Sequence, residues 1–189
     1  MADIKLRDYQ TRAIEQTEAW MAAHPGGHPC ICLPGGSGKS VVIASLARTA
    51  RTEFGHRVLM LVHTKELVAQ NEARLRQLWP AAPVGVVSAS LNRCEYGSPI
   101  TYANVGSVYR RPHLLGRIDL VLVDEAHMIN TKETGMYRSL LASLTEANQR
   151  LRVIGFTATP YRLGQGMVTD GDGIFDEIIT PVTIRELVD

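Results

Sequence analysis

A chain of 189 residues with 45% hydrophobic content suits one compact domain with a sizeable core, and a formal net charge of +1 neither requires nor excludes nucleic acid, because phosphates can be met by a local patch. Three cysteines, Cys30, Cys32 and Cys94, fit neither a disulfide framework nor a zinc site, so a reducing cytoplasm is the expected setting. With no run of about eighteen apolar residues and no signal-like N-terminus, neither a membrane span nor export is expected.

In chain order, residues Ile4 to about Ala23 predict a surface helix with Ile14, Thr17 and Met21 at helical spacing, closed by Pro25-Gly26-Gly27. Cys30–Leu33 predicts a buried strand leading into Leu33-Pro-Gly-Gly-Ser-Gly-Lys-Ser40, and a helix then runs to about Thr52. Val58–Val62 is continuously apolar, as a strand covered on both faces must be. A helix over Lys65–Leu78 is predicted to turn Leu67, Ala69, Leu75 and Leu78 inward. Short extended pieces at Val84–Ser88 and Ile100–Asn104 flank the polar Asn92–Ser98. Ile118–Asp124 and Leu151–Phe156 read as strands, with a helix from about Thr134 to Ala147 between them. Beyond Pro160, Gly164, Gly166, Gly171 and Gly173 suggest a loop, and Thr180–Asp189 ends the chain without a clear element. Strands alternating with helices predict a mainly parallel sheet in a three-layer αβα domain. Cys30 and Cys32 are read as core residues, Trp20 and Trp79 as packing, and Asp170–Gly173 as a solvated loop.

The glycine-rich segment between strand and helix carries the first chemistry. Gly36 and Gly38 allow backbone dihedrals closed to other residues, so that N–H groups of Gly35, Gly36, Ser37 and Gly38 can converge on a polyphosphate at a helix N-terminus. Lys39 would meet the β and γ phosphates, and Ser40 would offer its hydroxyl to Mg²⁺. Leu33 stands where the strict pattern G-x-x-x-x-G-K-[ST] has its first glycine, a strand-end position that tolerates a side chain pointing into the core. A lysine opening an apolar helix opposes the helix dipole, and a bound anion reverses that penalty. The second chemical element is Asp124-Glu125, where a strand leaves the sheet and faces the ligand crevice. In a nucleotide hydrolase, Asp124 would hold Mg²⁺ through a water, while Glu125 would orient and deprotonate the attacking water.

These segments together resemble the first RecA-like domain of a superfamily-two helicase of the DEAH-box type. The phosphate loop is similar to motif I, Asp124-Glu-Ala-His127 to motif II, Thr157-Ala-Thr159 to motif III, and His63-Thr-Lys-Glu-Leu-Val-Ala-Gln70 to motif Ia. Leu6-Arg7-Asp8-Tyr9-Gln10 resembles the adenine-reading element of the family, which implies nucleotide contacts from Arg7 and Gln10. The resemblance further implies a RecA-like P-loop NTPase fold, coupling roles for His127, Thr157 and Thr159, and nucleic-acid backbone contacts from Thr64 and Lys65. Leu6–Gln10, Val62–Asn71 and Phe156–Gly164 also resemble bacterial RadD-type DNA-repair ATPases and type III restriction subunits. Relatives tend to have Thr and Gln where this chain has Asn104 and Gly106, which leaves Ser107 as the better strand contact there.

The implied activity is hydrolysis of Mg·ATP coupled to movement on single-stranded DNA or RNA, DNA being favoured. Such enzymes use a second RecA-like domain, which the resemblance makes an expected partner outside this chain. Arg162 follows motif III too closely to supply its arginine. Because an arginine from another domain contributes roughly 10³–10⁵ in related phosphoryl transfers, these 189 residues alone are expected to be nearly inactive. Two alternatives stand beside this reading: the motor of a restriction endonuclease, and a non-hydrolysing nucleic-acid-binding scaffold.

Overall fold

The computed structural model describes residues 5–129, 135–162, 166–171 and 173–188. Helix α1 (Asp8–Ala23) precedes strand β1 (Pro29–Cys32), and the glycine-rich loop leads into α2 (Lys39–Thr52). Then follow β2 (Val58–Val62), α3 (Lys65–Leu78), β3 (Val84–Ser88), a two-residue β4 (Arg93–Cys94), β5 (Ile100–Asn104) and the single turn α4 (Val105–Val108). β6 (Leu120–Val123), α5 (Met136–Ala147) and β7 (Arg152–Thr157) complete the strong elements. Short strands β8 (Tyr161–Arg162), β9 (Gly166–Met167) and β10 (Glu177–Ile179) and the helical turn α6 (Ile184–Val188) end the chain. Among the described residues, no helix is long and apolar enough to cross a membrane.

Eight strands form one sheet in the order β10-β1-β7-β6-β2-β5-β3-β4, and every neighbouring pair is parallel except β3 with β4. Parallel pairing requires crossovers, so helices cover both faces, and all the parallel strands deliver their C-terminal ends to one edge. Alternation along each strand splits the core in two. Ile31, Met60, Val62, Leu122, Ile154 and Phe156 face α1, α2 and α3, whereas Leu59, Leu61, Val121, Val123 and Val153 face α4 and α5. The parallel αβα expectation is therefore met.

Several boundaries differ from the sequence reading. α1 begins at Asp8, and residue 4 lies outside the described residues, as do Thr134 and Gly164. On α3 the inward stripe is Val68, Asn71, Glu72 and Leu75, so Ala69 is exposed, while Leu67 and Leu78 only border the core. Positions 68, 71, 72 and 75 share one helical face, which 67 and 69 together cannot. Edge strand β4 lay hidden in the polar Asn92–Ser98 because its stabilisation is ionic: Arg93 pairs with the buried Glu72 at 2.5 Å and with Glu95 at 2.8 Å. Cys30 is buried, but Cys32 is half-buried at the strand end. The largest difference lies past Pro160. Among the turn-forming glycines, Val168 and Phe175 enter the core, Tyr161 pairs with Met167 in a small hairpin, and Ile178 pairs with Cys30.

Gly155, at the centre of β7, shows how tightly this closing segment packs. A Cβ there would lie 2.6 Å from the Phe175 ring and 3.0 Å from Ala126 Cβ. Overpacking of this kind costs about 1–3 kcal/mol. Gly155→Ala is expected to lower the thermal midpoint by roughly 2–12 °C, at about 2–4 °C per kcal/mol for a domain of this size, and an unchanged calorimetric midpoint would refute the packing described.

Candidate nucleotide site at the strand ends

The loop after β1 meets α2 through Gly38, which has φ 78° and ψ 34° and makes no side-chain cap. The first-turn amides of α2 thus lack the side-chain acceptor that usually satisfies a helix N-terminus, and its first turn holds no acid. Gly36 has the same positive φ, and the buried Ser37 hydroxyl has no hydrogen-bond partner among the described residues. A side chain at residue 38 is strained by its positive φ and would displace Gln10, whose Nε2 would lie 2.6 Å from an added Cβ.

Gln10 and Tyr9 hold this loop from α1. Gln10 Nε2 donates to the Ser37 carbonyl at 2.9 Å, Tyr9 OH donates to the same oxygen at 2.8 Å, and Gln10 Oε1 accepts from Arg7 N at 3.0 Å. Arg7 contacts the Tyr9 hydroxyl at 3.0 Å. Both polar atoms of the Gln10 amide are therefore engaged with backbone, and the element read as adenine-facing braces the glycine-rich loop.

Lys39 joins this loop to the end of β6. Its Nζ lies 2.7 Å from Glu125 Oε1 and 3.2 Å from Asp124 Oδ1. Asp124 is also fixed on its other oxygen, where Asn71 Nδ2 donates at 3.1 Å, while Oδ1 additionally accepts from Glu125 N at 2.9 Å. Glu125 adopts left-handed backbone, φ 51° and ψ 50°, a conformation that costs a non-glycine residue of order 1–3 kcal/mol. The turn carries its carboxylate back over Lys39. Ser40, the second residue of α2, is half-buried. An unsatisfied helix N-terminus, an unpartnered buried Ser37 hydroxyl, a lysine and two carboxylates match what a polyphosphate with a hard divalent cation needs.

The acids connect in turn to β7. His127 Nδ1 lies 2.8 Å from Thr157 Oγ1 and 3.4 Å from Glu125 Oε2. Thr157 Oγ1 donates to the Thr159 carbonyl at 2.7 Å and accepts from Thr159 N at 3.1 Å. Its only proton is thus committed, so His127 must carry its proton on Nδ1 and donate to the threonine. His127, Thr157 and Thr159, predicted to act together, form one network.

The residues predicted to contact nucleic acid lie further along the same edge. Thr64 caps α3, its hydroxyl accepting from Leu67 N at 3.3 Å, and Lys65 is exposed, 4.0 Å from Glu66. Asn104 Nδ2 donates to the His63 carbonyl and its Oδ1 accepts from Gly106 N at 3.0 Å, so the departure from Thr still fastens β5 to β2. Ser107 Oγ accepts from Ala89 N at 3.0 Å. The structure brings Thr64, Lys65 and Ser107 to the ends of neighbouring strands, apart from the Lys39 cluster.

The sequence reading assigned no role to Asn71, Tyr9, His63 or Tyr137. Asn71 could have been found as a polar residue within the inward stripe of α3. His63 Nε2 and Tyr137 OH are both buried without a hydrogen-bond partner among the described residues, their rings 5.0 Å apart. Burial, with His127 nearby, holds the His63 imidazole below its ordinary pKa, and burial raises Tyr137, the Asp124 charge adding to it. Both side chains therefore stay neutral beside the acids.

Comparison with known proteins agrees with this geometry. A family model described as "Type III restriction enzyme, res subunit" matches residues 3–162. IRC3 of Saccharomyces cerevisiae, which carries the name of an ATP-dependent helicase, is 29% identical over 196 aligned residues, covering 97% of this chain and 27% of its own. The chain thus spans about a quarter of that relative. Among solved structures, the UvsW helicase from bacteriophage T4 superimposes with a TM-score of 0.72 at 19% identity, over 94% of this chain and 61% of that one. The type ISP restriction-modification enzyme LlaGI, solved with a DNA substrate mimic, gives 0.70 at 15% identity, over 97% of this chain and 20% of that one. At these identities the two structures show a shared fold. The chain belongs to the family of the type III restriction enzyme res subunit, and it is the first RecA-like domain of a superfamily-two helicase.

Proposed function

We propose that this domain binds Mg·ATP at the loop of residues 35–40 and hydrolyses it in concert with a second RecA-like domain, moving its protein along single-stranded nucleic acid. The observation that carries this reading is Lys39 held by both Asp124 and Glu125, the three groups that phosphoryl transfer needs in one place. Gly35, Gly36, Ser37 and Gly38 present the loop's backbone to the phosphates, and Lys39 exchanges its carboxylate contacts for phosphate oxygens. Arg7 and Gln10 belong to the nucleotide end, where Gln10 senses the loop through the Ser37 carbonyl. Ser40 and Asp124 would hold Mg²⁺, which would supply charge neutralisation on the phosphates. Glu125, freed from Lys39, accepts a proton from the attacking water. His127 with Thr157 and Thr159 carries the state of Glu125 to the strand-facing edge. DNA is favoured as the track, DNA repair as the role and the cytoplasm as the setting, on the likeness to RadD-type ATPases. Without the second domain's arginine the chain is a very slow hydrolase.

A second reading has support of its own: the family model is that of a restriction subunit, and a restriction-modification enzyme shares the fold. On that reading the same ATP cycle drives a restriction endonuclease. Incubating the full-length protein with ATP and with methylated or unmethylated plasmid separates them. A repair-type motor leaves both intact, whereas cleavage confined to unmethylated DNA selects the restriction motor.

Three variants test the nucleotide site. Lys39→Ala is expected to abolish ADP binding in calorimetric titration. Glu125→Gln should keep Mg·ATP binding within a few-fold while lowering hydrolysis by the full-length protein roughly 10²–10⁴-fold. Asp124→Asn should weaken the Mg²⁺ dependence of binding. If the two acid variants fail alike at the binding step, the division of roles between Asp124 and Glu125 is wrong.

On the strand side, Thr64, Lys65 and Ser107 suit phosphates more than bases, so affinity should depend on salt and little on sequence. Fluorescence anisotropy of labelled oligonucleotides over a salt series should give a weak, shallow dependence of about −0.7 in log K per log salt for each phosphate met. Lys65→Ala should lower affinity for all sequences alike and remove about one contact's slope, and an unchanged slope would take Lys65 off the track.

A further inference from the structure

Two polar side chains flank the acid cluster without bonding to it. His63 follows β2 and immediately precedes Thr64 and Lys65, and Asn104 Nδ2 donates to its carbonyl, which fixes its backbone at the strand-end edge. Its ring lies within electrostatic reach of His127, Glu125 and Asp124. Tyr137, in the first turn of α5, is only 5% exposed and feels the Asp124 charge. The two rings stand 5.0 Å apart with their planes inclined by 49°, and neither His63 Nε2 nor Tyr137 OH has a hydrogen-bond partner among the described residues.

Native interiors seldom bury such groups unanswered, because each leaves its desolvation cost uncompensated. A phenylalanine at position 137 would fill the same space without that cost. The acids supply a matching need. Glu125 Oε1 accepts from Lys39 at 2.7 Å, whereas His127 commits its Nδ1 proton to Thr157 at 2.8 Å and stands 3.4 Å from Glu125 Oε2. Once Lys39 turns to phosphate, the Glu125 carboxylate keeps no donor among the described residues, and Asp124 Oδ1 keeps only the Glu125 amide. Two unused donors thus border carboxylates that lose a partner when nucleotide arrives.

We propose that His63 and Tyr137 are positioning residues for Glu125 and Asp124: with Lys39 on the nucleotide, they supply the neutral hydrogen-bond donors that hold the two carboxylates in place. The phenol donates through its hydroxyl and the imidazole through Nε2–H. Neutral donors suit this step, because they orient a carboxylate without neutralising the charge that takes up the proton of the attacking water. The inference rests on the nucleotide reading, since it begins with Lys39 leaving the acids.

The test compares Tyr137→Phe, His63→Gln and His63→Leu. Steady-state hydrolysis of Mg·ATP is measured on the full-length protein with single-stranded DNA present, and thermal unfolding on the 189-residue chain. Tyr137→Phe should lower kcat about tenfold or more with KM for ATP within about threefold, as loss of a hydrogen bond to a charged group warrants. The same variant should raise the thermal midpoint by about 2 °C or more, because it removes an unanswered hydroxyl from the interior. His63→Leu should show the same loss of kcat, and His63→Gln, whose amide keeps an N–H donor, should return kcat to within about threefold of wild type. A Tyr137→Phe protein with wild-type kcat would overturn the inference. So would a loss of kcat accompanied by a lower midpoint, which marks the hydroxyl as structural, or a His63→Gln variant no faster than His63→Leu. A wild-type protein that hydrolyses no ATP would instead overturn the nucleotide reading itself, and this inference with it.

Discussion

Lys39 lies between two carboxylates, 2.7 Å from Glu125 and 3.2 Å from Asp124, and this contact joins the loops after β1 and β6 across the intervening β7. Partly buried charges are tolerated only when each is answered. Lys39 answers both acids, the Glu125 amide shares Oδ1 of Asp124 with it, Asn71 covers Oδ2, and His127 stands beside Glu125. The cluster is nonetheless one cation against two anions. That imbalance leaves the site ready for more positive charge, and it keeps Lys39 occupied until a stronger anion competes for it.

The parallel sheet makes this cluster possible. β1, β7, β6, β2 and β5 run the same way, so the glycine-rich loop, Thr157, Asp124, His63 and Asn104 all emerge on one edge. Antiparallel neighbours would have sent half of them to the opposite side. The short side-chain links between adjacent strand ends, Asn104 to the His63 carbonyl and His127 to Thr157, turn that edge into a connected surface.

Much of this was legible in the residues because the strong elements obey local rules. The run Val58–Val62, the glycine-rich turn into α2, and the acids at the end of β6 each carry their structure in a few neighbouring positions. What escaped depends on distant partners. Nothing near Phe175 foretells that its ring packs against Gly155 in β7, and nothing near Arg93 reveals that Glu72 on α3 will hold it in an edge strand. The same holds within the site. Lys39, Asp124 and Glu125 follow from residue type and spacing, but the grip of Gln10 and Tyr9 on the Ser37 carbonyl is a tertiary contact between segments 27 and 28 residues apart. Ala69 was misplaced for a smaller reason, an apolar residue one position away from the true stripe.

Helix α3 ties two of these regions into a single rigid body. Its first residue, Lys65, lies at the strand-end surface, and Asn71, six residues on and about 9 Å along the axis, grips Asp124. An α-helix transmits an axial push or a rotation with little loss, so a displacement of the α3 N-terminus must either move the Asp124 carboxylate or break the Asn71 hydrogen bond. The amide is thus a mechanical fuse. Strengthening it would stiffen the transmission, and an apolar residue of the same size at position 71 would leave both ends of the helix intact while disconnecting one from the other.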